Sequence, residues 1–102
     1  MILIRAKEGA IALETWLAAV ENDSELFEIT VRNVVDPRTG LALQATMPAG
    51  TVFWMPDGEN ECGMFSFRRS GKIDMESNDP RAEEKARQIA DVLDADVTVI
   101  ED

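Results

Sequence analysis

Apolar positions along the chain change period several times, and each change marks an element. Ile2 to Arg5 is a brief apolar run that reads as a strand. From Ala10 to about Glu21 the composition turns to Ala, Leu and Glu, and Leu13, Trp16, Leu17 and Val20 recur at i, i+3, i+4, i+7. That spacing is one face of an amphipathic helix, and Asn22-Asp23-Ser24 supplies the chemistry that ends it. Phe27, Ile29 and Val31 alternate with Glu28, Thr30 and Arg32, which predicts a half-buried strand continuing to about Val35.

The next segments are hairpins. In Asp36-Pro37-Arg38-Thr39-Gly40 the carboxylate can accept backbone N–H groups, Pro37 presets φ, and Gly40 supplies a left-handed residue that returns the chain. Leu41 to Thr46 is the return strand, Met47 to Gly50 a turn, and Thr51 to Met55 a further strand. After the polar loop Pro56–Glu61, Cys62 to Arg69 and Lys72 to Glu76 form a second hairpin. A two-residue turn at Ser70-Gly71 would set Phe67 against Asp74. A three-residue loop, Arg69-Ser70-Gly71, sets Phe67 against Ile73 and Phe65 against Met75. Burial of a whole face decides register, so the three-residue loop is expected.

Asp79 and Pro80 read as N-cap and first residue of a second helix. Its buried stripe is Ala82, Ala86, Ile89, Ala90 and Leu93, with Glu83–Arg87 and Arg87–Asp91 as i, i+4 pairs. Val97 to Ile100 is a last strand, with Glu101 and Asp102 trailing. The order β-α-β-β-β-β-β-α-β predicts an α+β fold: a mostly antiparallel sheet with the two helices packed on one face. At 102 residues the chain is expected to be one domain, residues 1–102.

Charge narrows the chemistry. Twenty Asp and Glu stand against ten Lys and Arg, for a net charge of -10, and there is no histidine. Histidine-based triads and zinc sites are therefore excluded, and so large an acidic excess argues against a nucleic-acid groove. No apolar run is long enough for a signal peptide or a membrane span, and the single cysteine forms no internal disulfide. A cytoplasmic protein without membrane contact is expected.

Few residues carry site chemistry. Asp57, Glu59 and Glu61 alternate in a loop but lack calcium-loop spacing, so they read as a solvated turn with no metal. Cys62 has no basic neighbour to make a thiolate, and Ser66, Ser70 and Ser77 have no base. Arg68, Arg69 and Lys72 at a hairpin tip are a candidate anion site, although cations there also protect strand edges. Asp91, Asp94 and Asp96 crowd the end of the second helix, where the macrodipole already disfavours carboxylates. They are the candidate partner-binding residues. The expectation is a non-enzymatic acidic binding or regulatory domain, of inhibitor, immunity or adaptor type, engaging a protein with a basic surface and needing no cofactor. The alternative is a small-molecule-binding or enzyme-subunit domain using an open sheet face around Trp54, Phe65 and Phe67. A nucleic-acid mimic ranks third, because Arg and Lys interrupt the acidic rows. Oligomeric state is left open by these residues.

Overall fold

Cross-strand apolar rows build the main sheet of the computed structural model, which describes residues 1–100. Val52, Phe65, Met75, Ile2 and Val99 stand opposite one another in turn across adjacent strands, and Phe67, Ile73, Ile4 and Val97 form the next row. Because side chains alternate along each strand, both rows lie on one face. The strands are β1 (Ile2–Ala6), β2 (Leu26–Glu28), β5 (Val52–Trp54), β6 (Gly63–Phe67), β7 (Ile73–Glu76) and β8 (Ala95–Val99). They pair antiparallel in the order β2-β5-β6-β7-β1-β8. Helices α1 (Leu13–Glu21) and α2 (Ala82–Leu93) cover the apolar face and close a single core. Fully buried Trp16 packs on Phe65, with ring centroids 5.5 Å apart, and its indole N–H donates to the Gly50 carbonyl.

The expected α+β architecture and the register of the second hairpin are present: Phe65 faces Met75 and Phe67 faces Ile73. The three-residue loop ends on Gly71 at φ 80°. An added Cβ there would stand 2.9 Å from Ala10 Cα, so glycine is required by both conformation and space. The Gly71 carbonyl accepts the Ile11 N–H at 3.0 Å. That bond holds Ala10–Ala12 outside the helix and explains why α1 starts at Leu13, later than the Ala10 expected. At α2 the expected cap is displaced: the Asp79 carboxylate accepts the Arg81 N–H at 2.8 Å within a turn that includes Pro80, so Arg81 and not Asp79 is the N-cap and the helix begins at Ala82.

A larger departure lies between β2 and β5. The single half-buried strand from Phe27 to Val35 is two strands in two sheets. Leu26 is the buried residue of β2 and Phe27 points to the uncovered face. Ile29 N–H still reaches the Thr51 carbonyl, but Thr30 already accepts from Met47, and the chain leaves the sheet there. β3 (Val31–Val35) then pairs only with β4 (Ala42–Thr46), as an arm outside the main sheet. The predicted turn closes it: Asp36 accepts the Arg38 N–H at 2.8 Å and Gly40 sits at φ 71°. Alternating Phe27, Ile29 and Val31 misled because an arm with apolar residues has the same period as a half-buried strand. Glu101 and Asp102 lie outside the described residues.

Candidate functional site

The second helix organises most of the polar chemistry. At its start, Asp79 takes the Arg81 guanidinium at 3.0 and 2.8 Å as well as its N–H. Those donors hold the Asp79 carboxyl down at about 2. Arg81 in turn lies over the Trp54 ring, 5.6 Å from its centroid. Trp54 donates its indole N–H to Glu25 at 3.1 Å. One turn further along α2, Lys85 is buried and its Nζ bridges Asp23 at 2.8 Å and Glu25 at 2.9 Å. The indole bond first, then the Lys85 ammonium, lowers the Glu25 pKa below the ordinary carboxylate value. This network ties α2 to the α1–β2 turn and leaves two carboxylates on one ammonium, an excess of negative charge.

Beside the network is an open cleft of about 360 Å³. Asn22, Asp23, Ser24, Glu25, Lys85 and Gln88 provide its polar groups, and Val92 stands at its rim. Val92 is 73% exposed, the most exposed of the large apolar side chains. Reading α2 as a helix with a buried apolar stripe finds Ala82, Ala86, Ile89 and Ala90 correctly, but it misses Lys85 because a lysine on the buried face breaks the pattern. Its signal in sequence is the Asp23/Glu25 pair, which has no nearby cation in the chain.

Asp91, Asp94 and Asp96 follow. Asp94 caps α2 in the left-handed conformation, φ 52° and ψ 51°, where glycine is usual. Its carboxylate pairs with Lys7 at 3.2 Å. Asp96 lies on β8 opposite Arg5, and Asp91 is exposed on α2. All three raise the Lys7 pKa: the hydrogen bond to Asp94 most, then its charge, with Asp96 and Asp91 adding to it. The three acids are thus neighbours, gathered around a lysine that the helix-end reading did not include.

The remaining candidates disperse. Arg68 is committed to buried Asp74 through its Nε, while Arg69 and Lys72 are exposed and make no ion pair among the described residues. Trp54 and Phe65 are turned into the core and Phe67 packs against it, so they form no open face. The uncovered face carries Leu3, Phe27, Phe53 and Met64 instead. Asp57 accepts N–H groups from Glu59 and Asn60 and the Asn60 side-chain amide, which hold its carboxyl at about 2. Its lone pairs serve its own loop. Among the described residues no group of three or more Cys, Asp or Glu is arranged to hold a metal ion. Burial, and then the charge of Asp79, raise the Cys62 thiol, so it stays protonated near neutral pH.

Comparison with known protein families, curated proteins and solved structures gave no match to this chain. No helix among the described residues is long and apolar enough to cross a membrane.

Proposed function

We propose that the chain is a non-enzymatic, cytoplasmic binding or regulatory domain that engages a basic protein surface along α2, in the manner of an inhibitor, immunity or adaptor protein. Val92 carries this reading. A large apolar side chain at a cleft mouth adds to binding free energy when a partner covers it. Acids outnumber cations around it: Asp91 stands beside it in the chain, Asp94 and Asp96 follow, and inside the cleft Asp23 and Glu25 face the single cation Lys85. Such a mixture suits arginine or lysine, whose aliphatic stem lies on an apolar side chain while its charged end meets carboxylate.

Lys85, Trp54 and backbone groups already hold Asp23 and Glu25 in place, so a partner's cation would meet an ordered acceptor. Lys7 partly neutralises Asp94, which leaves Asp91 and Asp96 as the freer acids of the ridge. The test is capture from source-cell lysate at low and high salt, using the wild type and a Val92→Asp, Asp91→Lys variant. A basic protein retained by the wild type at low salt, released at high salt and missed by the variant supports the reading. Identical capture by the two proteins overturns it.

A further inference from the structure

We infer that the β3–β4 arm is a dimerisation element, and that two copies of this chain exchange arms, each arm lying in the groove between α1 and β2 of the other copy. The arm lacks a core of its own. Val31, Val34, Val35, Leu41 and Leu43 are all exposed, with Val35 at 67% and Leu41 at 63%. A two-stranded hairpin alone is marginal in water, and this one is tethered to the main sheet by little beyond Arg32, whose guanidinium lies 5.6 Å from the Phe53 ring centroid. Val34, Leu41 and Leu43 share one face with Arg32, because paired positions alternate along the ladder. The arm therefore offers an apolar surface with a cation at its root.

Charge selects the occupant. Arg32 and Arg38 face only Asp36 within the arm, and Asp36 is engaged in its own turn. The rest of the chain holds every other acid of a protein with net charge -10. The arm is thus the cationic part of an anionic molecule, and the surface it complements is that molecule's own body. The groove between α1 and β2, about 510 Å³, has Leu17 and Phe27 as apolar lining and Glu21, Asp23 and Glu28 as its charged groups, with no cation. β2 ends the main sheet, so its outer edge is unpaired and open to an added strand.

Closure follows from the connection. Only Ile29 and Thr30 separate β2 from β3, so each arm springs from beside the groove of its own body. A two-fold axis near that link places each arm on the other copy's groove, and the contact closes as a symmetric pair instead of a chain.

Sedimentation equilibrium of two charge-reversed variants tests this. One carries Arg32→Glu and Arg38→Glu in the arm, and the other Glu21→Lys and Glu28→Lys in the groove. The wild type should sediment as a dimer, and each variant alone should dimerise at least about tenfold more weakly. A one-to-one mixture should regain the dimer, because each mismatched arm then meets a matching groove. Circular dichroism spectra that match wild type show that the variants are folded, since the substituted residues lie outside the core. A monomeric wild type, dimers indifferent to both variants, or a mixture that stays monomeric would each overturn the inference.

Discussion

Lys85 reaches Asp23 across 62 residues of sequence, Nζ to Oδ2 at 2.8 Å, and carries the only charge on the buried face of α2. Burial of an ammonium is tolerated because Asp23 and Glu25 both receive it. Lys85→Ala should destabilise the protein by about 3 kcal/mol, the lower end for breaking a buried pair, since both carboxylates keep some solvent. Lys85→Met should cost less than Lys85→Ala, by restoring the packed stem. Urea midpoints of the three proteins measure both differences; equal midpoints for wild type and Lys85→Ala would count against a buried pair.

Acid stability should follow Asp79. Its folded carboxyl titrates at about 2 against an ordinary value of 3.8, so the native state favours the charged form. The stabilisation is complete above the ordinary value and is lost as pH falls from 3.8 towards 2. Asp79→Asn should therefore lower the melting temperature near neutral pH, and its deficit should shrink across that interval. A deficit that stays constant with pH would place the effect in turn geometry, not in charge.

Truncations along α2 should be unequal. Ile89 is buried to 3% exposure, and Ile89→Ala should cost about 3 kcal/mol. Leu93 only packs against the edge of the core, and Leu93→Ala should cost about 1–2 kcal/mol. Chemical denaturation separates them. A larger loss at Leu93 would contradict the packing.

Two glycines with similar φ offer a matched comparison. Gly40, at φ 71°, has open space around a Cβ, so Gly40→Ala should cost about 1 kcal/mol for left-handed backbone alone. Gly71, at φ 80°, meets Ala10 and the Ile11 nitrogen, so Gly71→Ala should cost about 3 kcal/mol, conformation and overlap together. Thermal melts of the pair decide whether the contact to the α1 entry matters.

Replacing Asp91, Asp94 and Asp96 by Lys should change the free protein by no more than about 1 kcal/mol, because the ion pair it removes, Lys7 with Asp94, is exposed and only the left-handed cap at Asp94 disfavours the new side chain. Against a basic partner, the association rate should fall about tenfold and its dependence on salt should flatten. Stopped-flow mixing at two ionic strengths gives both quantities. An unchanged rate would assign the ridge to solvent.

Strand pairing was legible wherever burial and period agreed. Phe65, Phe67, Ile73 and Met75 demand one register, and they have it. The same reasoning failed at Phe27, since period two states that a segment is extended without saying which sheet it joins. Lys85 escaped because a buried charge is visible only with its partners, and Asp23 is far from it in the chain. The acidic ridge was legible as a broken helix-end rule at Asp94, although its lysine, Lys7, comes from just beyond β1. Trp16 and Trp54 fall on the apolar faces of their elements and read most simply as core, and both are buried, which removes the open sheet face that the alternative reading needed at Trp54.

The position of β1 has a consequence for the timing of folding. β1 lies between β7 and β8, so the first strand of this sheet in chain order is completed only by the last two. Until β7 has formed, Ile2 and Ile4 lack their Met75 and Ile73 partners, and Val99 and Val97 come later still. Local hairpins such as β6–β7 can close in microseconds, whereas this strand waits for loop closure over most of the chain. β1 and β8, at one end of the sheet, are therefore its last part to assemble, and the interval before β7 and β8 form is when the apolar side chains of β1 are most open to aggregation.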